Sequence, residues 1–249
     1  KSDYTFGATN AATTTALVGN VATIAADTAG VVTASINAGG SLTAAQINSN
    51  LSTGSSGDSL TVTLAAGTVA ATDITGIDGK TATAVAADNV TLITGSVSEA
   101  LAVVTAHGNS TVDMGNDDTA YTISGTQTAT GTVGNVTTIG NDTTGTVTAS
   151  IGSLSAADIN TNLSTAATDA ITIETTSTTT TATILNALDG KTATAVDADA
   201  ITAITGGIAA GATMAGASGL TLKSDYTFGA TDAATTTGLV GNIATIAAD

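Results

Sequence analysis

"KSDYTFGAT" occupies Lys1–Thr9 and occurs again at Lys223–Thr231. Extending the match, residues 1–27 and 223–249 differ only at Asn10/Asp232, Ala16/Gly238 and Val21/Ile243. A low-complexity chain matches Thr with Thr by chance, but not the ordered string Lys-Ser-Asp-Tyr-Thr-Phe-Gly. The match therefore measures a tandem period of 222 residues, and internal periods take precedence over local propensity in reading a fold. Residues 1–222 form one full unit, residues 223–249 open the next, and both ends of the chain read as lying inside an array.

A second copy sits inside that unit. "VGNVATIAADTAGVVTASI" (Val18–Ile36) matches "VGNVTTIGNDTTGTVTASI" (Val133–Ile151), and "LTAAQINSNLST" (Leu42–Thr53) matches "LSAADINTNLST" (Leu154–Thr165). "IDGKTATAVAADNVTLITG" (Ile77–Gly95) matches "LDGKTATAVDADAITAITG" (Leu188–Gly206). The unit thus divides into half-repeats of about 1–111 and 112–222.

Composition narrows the architecture. Of 249 residues, 56 are Thr and 49 are Ala; aromatic residues are 2%, charged residues 10%, and Cys, Pro and Trp are absent. Such small side chains make a thin core, yet the mean hydropathy is positive (+0.36), against the usual signature of disorder. Short Thr/Val/Ile runs with period-two patterning ("VVTASI", "SLTVTL", "NVTLITG", "AYTISG", "AITIET", "GLTLKSDYTF") read as strands. Ala-rich runs with apolar residues three or four apart ("TAAQINSNL", "ATDITGI", "SVSEALAVVTAHG", "SAADINTNL", "ATILNALDG") read as short helices, several with a Ser or Thr N-cap and a following Gly. The expected fold is a repeat solenoid of strand–short-helix coils, about 24–30 residues each, with a parallel sheet. The alternative is an all-β right-handed β-helix, suggested by "TTSTTTTAT" (Thr175–Thr183).

The chemistry expected is sparse. The formal net charge is −16, with four Lys and no Arg, which disfavours nucleic acid and anionic membrane as partners. No apolar run reaches membrane-spanning length. His107 is the single histidine and reads as a surface or helix C-terminal residue. No nucleophile–base arrangement is visible, so no catalytic residue and no enzyme activity is expected. No cofactor-binding or metal residue is assigned. The acidic turns "GNDDTA" (Gly115–Ala120) and "GNDTTG" (Gly140–Gly145) gather oxygens that Ca²⁺ could use, but tight turns select the same residues. "DGKT" (Asp78–Thr81 and Asp189–Thr192) reads as a helix-ending turn with a left-handed Gly cap and a Lys near the helix C-terminus.

"LSAADINTNL", "LNALDGKTATAVDADAITAITG" and "GSVSEALAVV" together resemble the Ala/Thr/Asp-rich tandem repeats of giant bacterial cell-surface proteins of the marine cyanobacterial type. The resemblance implies an exported, extracellular or cell-surface chain with a structural or adhesive role. The expected function is a segment of a long surface filament whose partner is itself, end to end or laterally, with other surface polymers possible partners. The alternative is an adhesin stalk or a Thr-ladder ice- or surface-binding protein.

Overall fold

The computed structural model describes residues 2–7 and 11–249; Lys1, Ala8 and Thr9 of the first repeated string, with Asn10, lie outside the described residues. The chain is an α/β fold in which every described strand pair is parallel, with nine helices among the described residues. It divides into two compact units, Lys1–Ile123 with Asp142–Gly145, and Ser124–Asn141 with Thr146–Asp249.

The first unit runs β1 (Tyr4–Thr5), α1 (Thr15–Asp27), β2 (Val32–Asn37), α2 (Ala44–Asn50), β3 (Ser59–Thr63), β4 (Gly67–Ala70), α3 (Ala71–Asp78), β5 (Val85–Ala86), β6 (Val90–Ser96), α4 (Val97–Gly108) and β7 (Val112–Asp113). It then enters β8 (Ala120–Gln127), within which the chain passes to the second unit. One sheet has the order β1-β2-β3-β5-β7, and β4 pairs with β6. Each partner lies about one coil further along the chain, as in Ala34↔Leu60, Ile36↔Val62 and Val69↔Ile93. Those pairs point inward and stack as the core.

The second unit holds α5 (Thr130–Asp142, its last residue counted with the first unit), β9 (Val147–Leu154), α6 (Ala156–Asn162), β10 (Ala170–Thr175), β11 (Thr179–Thr181), α7 (Ala182–Asp189), β12 (Val196–Ala198), β13 (Ala203–Gly206), α8 (Ile208–Ala215), β14 (Leu220–Leu222), β15 (Thr227–Ala230) and α9 (Thr237–Ala248). Here β9-β10-β12-β14 and β11-β13-β15 are the strand orders. Ile151↔Ile173, Ile173↔Val196 and Val196↔Leu220 form one inward ladder, and Ile204↔Phe228 belongs to another.

Why these residues make helices is clear from their ends and their stripes. Thr14, Thr43, Ser96, Ser155, Thr181 and Thr236 each accept a hydrogen bond from a first-turn N–H. Thr43/Gln46 and Ser96/Glu99 close full capping boxes, so orphan N–H groups are satisfied from the sequence itself. Each short helix then buries a narrow stripe: Ala44 and Ile47 in α2, Ala71, Ile74 and Ile77 in α3, Ala182, Leu185 and Leu188 in α7. The Ala at the head of the stripe permits close approach. A Cβ on Gly95 would lie 3.2 Å from the Ala71 methyl, and one on Gly206 3.3 Å from the Ala182 methyl.

The structure departs from the sequence reading in three respects. Most turns of the chain carry two short strands before the helix, not one: "GLTLKSDYTF" is β14, a bend at Lys223–Tyr226, then β15. The cause is self-capping polar residues at strand ends. Asp113 and Asp197 accept from the N–H two residues on, as Thr175 does through its hydroxyl, which turns the chain. Second, α1, α5, α8 and α9 are helices that the sequence reading did not expect, and with nine helices the all-β alternative fails. Third, Gly79 and Gly190 after the "LDG/IDG" helices are right-handed (φ −64° and −72°), not left-handed caps.

Two glycines are required by crowding. A Cβ on Gly145 would lie 2.5 Å from the Asp118 carbonyl oxygen, and one on Gly30 2.5 Å from the Ser2 carbonyl oxygen. Both contacts are to backbone, which cannot swing away. Gly134, inside α5, has nothing within 4 Å of that position. Gly145→Ala is therefore expected to cost about 2–3 kcal/mol through steric strain, while Gly134→Ala gains about 0.5–1 kcal/mol from helix propensity. Urea unfolding of the two variants beside the parent checks both signs.

Candidate functional site

The two "DGKT" copies lead to the most densely bonded polar groups in the protein. Thr81 is 6% exposed and Asp58 4%. The Thr81 hydroxyl accepts from Leu60 N (2.9 Å) and Thr83 N (3.0 Å) and donates to Leu60 O (2.8 Å). The Asp58 carboxylate accepts from Val32 N (2.9 Å) and Ser55 N (3.0 Å), while its own carbonyl accepts from Ala82 N (2.6 Å). Residues from three successive passes of the chain, at 32, 58–60 and 81–83, are thus joined by two side chains.

The second unit repeats the arrangement. Thr192 accepts from Ile171 N (3.0 Å) and Thr194 N (3.0 Å) and donates to Ile171 O (2.7 Å). Asp169 accepts from Val147 N (2.8 Å) and Ala166 N (3.0 Å), and its carbonyl accepts from Ala193 N (2.7 Å). Sequence reasoning missed Asp58 and Asp169. The available signal was an Asp opening a strand at the same place in each half-repeat, "GDSLTVTL" and "TDAITIET".

The "DGKT" lysines directly follow the C-caps of their own helices, α3 and α7, but their ammonium groups reach the C-terminal part of another helix. Lys80 donates to the carbonyl of Asn48 in α2, and Lys191 to that of Asn160 in α6. Partial burial pushes both ammonium groups below the ordinary lysine value; for Lys80 the Asp73 carboxylate opposes this. The favourable field of carbonyl oxygens at a helix end offsets part of that desolvation.

The lone histidine lies where the two acidic turns meet. His107, in the last turn of α4 and half-buried, has Nδ1 3.1 Å from an oxygen of Asp142 and Nε2 3.3 Å from an oxygen of Asp117. The Asp117 carbonyl in turn accepts from the Thr143 hydroxyl (3.0 Å) and the Thr144 N–H (2.6 Å). Both candidate calcium turns, Gly115–Ala120 and Gly140–Gly145, therefore converge on one imidazole. Their carboxylates face its nitrogens. No group of three or more His, Asp or Glu side chains among the described residues is arranged to hold a metal ion. Beside them lies Tyr121, 1% exposed, its hydroxyl without a hydrogen-bond partner. Burial, and then the Asp142 and Asp117 carboxylates, hold this phenol well above the ordinary tyrosine value. The arrangement keeps the phenol protonated and ties the end of α4 to both turns. No helix among the described residues is long and apolar enough to cross a membrane.

Thr81→Val and Thr192→Val keep the side-chain shape but leave buried N–H and C=O groups unpaired. Each is expected to cost about 2–3 kcal/mol, measured by urea unfolding. A phenol raised in the fold binds its proton more tightly there than in the unfolded chain. Its contribution is complete below the unfolded value near 10 and is lost as pH rises beyond it. Lys80 and Lys191, lowered in the fold, act in the opposite sense. Tyr121→Phe is thus expected to leave stability at pH 7 unchanged or higher and to extend the alkaline limit of folding, read by circular dichroism between pH 9 and 12.

No protein-family model, no curated protein and no solved structure matches this chain.

Proposed function

We propose that this chain is a structural segment of a long extracellular or cell-surface fibre, a solenoid of stacked parallel coils that grows by head-to-tail contact with copies of itself and carries out no catalysis. The observation that carries the reading is the parallel pairing of strands one coil apart within each unit, in a chain whose sequence repeats with a 222-residue period. The large hydrophobic residues exposed among the described residues are Tyr4, Leu17, Val31, Val240 and Ile243.

An end-to-end contact between copies is heterologous, and such a contact propagates as an open filament when it does not close. Parallel strand partners one coil apart in each unit, and the Asp–Thr bonding that joins successive passes, are what a stacked solenoid needs. The charge of −16 keeps lateral faces apart at low ionic strength and is screened in salty media.

The Thr-ladder alternative fares less well. Ice-like surface recognition needs long unbroken ranks of Thr, whereas hydroxyl ladders here run for two or three residues, as in Thr5–Thr33–Ser59 and Ser35–Thr61, and longer ones read Asn37–Thr63–Ala86–Asp113, Thr179–Ala203–Thr227 and Glu174–Asp197–Thr221. Each of these longer ladders is interrupted by Ala or an acid.

Sedimentation velocity over a concentration series is expected to show open-ended association that strengthens between 50 and 500 mM salt, roughly the range over which the Debye length falls from about 14 to 4 Å. The double variant Val240→Asp with Ile243→Asp is expected to stay monomeric with unchanged circular dichroism. A parent chain that is monomeric at all concentrations and salts contradicts the reading.

A further inference from the structure

Lys80, Asn48 and Asp73 meet where α3 packs on α2. Asn48 lies in the last turn of α2, Asp73 in the first turn of α3, and Lys80 just past the α3 C-cap. The Lys80 ammonium donates to Asn48 Oδ1 (2.6 Å) as well as to the Asn48 carbonyl. On the other side, Asn48 Nδ2 donates to an oxygen of Asp73 (3.0 Å). An ammonium, which only donates, and a carboxylate, which only accepts, fix which end of the carboxamide is oxygen. A Cβ on Gly76 would lie 2.7 Å from both Nδ2 and Oδ1 of Asn48, so α3 closes directly onto this group. With a C=O bond of about 1.2 Å, Lys80 Nζ lies less than about 4 Å from Asn48 Cγ, close to the separation of a near-attack pair.

A hydrogen-bonded tie between helices does not need all three groups. The second unit keeps the lysine and the asparagine, and Lys191 donates to the Asn160 carbonyl. There, however, "ATILNALDGK" (Ala182–Lys191) replaces "ATDITGIDGK" (Ala71–Lys80), so that Ile184 stands in the place of Asp73 and Ala187 in that of Gly76. Asn160 Oδ1 is buried with no hydrogen-bond partner among the described residues. Of the two copies, the first brings amine, carboxamide and acid together.

We propose that Lys80 and Asn48 join in an intramolecular isopeptide bond, with Asp73 carrying protons between them. The Lys80 ammonium gives a proton to the Asp73 carboxylate, and the freed lone pair on Nζ attacks Asn48 Cγ, moving the C=O electron pair onto Oδ1. Asp73 passes its proton to Nδ2, then carries a second one from Nζ to the same nitrogen. The C=O re-forms, the C–Nδ2 bond breaks, and ammonium leaves. A lysine ammonium and a carboxamide thus become a secondary amide and one ammonium ion, with no oxidant or reductant consumed. Partial burial holds the Lys80 ammonium below the ordinary lysine value, against the opposing charge of Asp73, which enlarges the share of nucleophilic amine. The bond closes a loop across two successive coils and so restricts the unfolded chain. It is one self-modification per molecule, not turnover of a substrate, and it stands or falls apart from the fibre reading.

Intact-mass spectrometry of the full chain is expected to give a mass below that of the sequence by one ammonia, with trypsin cutting after Lys191 but not after Lys80. Asp73→Asn and Lys80→Arg are expected to keep the full mass with unchanged circular dichroism, and Asn48→Asp to lose water in place of ammonia. Ile184→Asp with Ala187→Gly is expected to install a second bond, between Lys191 and Asn160, and to double the loss; a single loss in that folded variant contradicts the part given to Asp73. A parent chain that keeps its full mass after days at pH 8 overturns the proposal. So does a loss of ammonia that leaves Lys80 open to trypsin, which marks a succinimide at Asn48.

Discussion

The structure depends on a buried carboxylate and a buried hydroxyl at the point where each half-repeat turns from helix to strand. A core made of Ala, Val and Ile is thin, and a thin core leaves bend backbone close to the interior without water. Unpaired N–H and C=O groups there would each carry the full desolvation cost. Asp58 and Thr81 bond those groups across three passes of the chain, and Asp169 and Thr192 do so again 111 residues later. The Thr hydroxyl suits the place because it both accepts and donates in a volume no larger than that of Val.

Small side chains elsewhere follow from the same close spacing. Ala71 and Ala182 meet Gly95 and Gly206, and Gly30 and Gly145 lie against the preceding pass of backbone. Replacing any of these with a larger residue forces successive passes apart and lengthens the Asp and Thr hydrogen bonds. The low aromatic content is thus a packing requirement. Tyr121 is the exception, a large buried ring whose hydroxyl finds no partner.

The repeat was legible in the sequence, as were the N-capping Thr and Ser residues, the short Ala-headed helices and the parallel pairing one coil apart. The helices α1, α5, α8 and α9 were not. "TALVGNVATIAAD" and "TGTVGNVTTIGND" are rich in β-branched residues and Gly, which have weak intrinsic helix preference; burial of Val18 and Val21, or of Val133, Val136 and Ile139, decides the matter in the fold. The double strands were hidden because an Asx turn looks like any polar residue in a Thr-rich run. Asp58 and Asp169 passed as loop residues for the same reason. His107 has no counterpart in the other half-repeat, so periodicity could not place it between Asp117 and Asp142.

The proposed fibre is the same device extended: parallel pairing and Asp–Thr bonding between successive passes would run on from one copy to the next. X-ray diffraction from oriented assemblies tests this most directly, because stacked parallel coils place every strand across the long axis. A meridional reflection at about 4.8 Å, the spacing of adjacent strands, is the result the account requires. Oriented material in which that spacing is absent from the meridian, or lies on the equator, would contradict it.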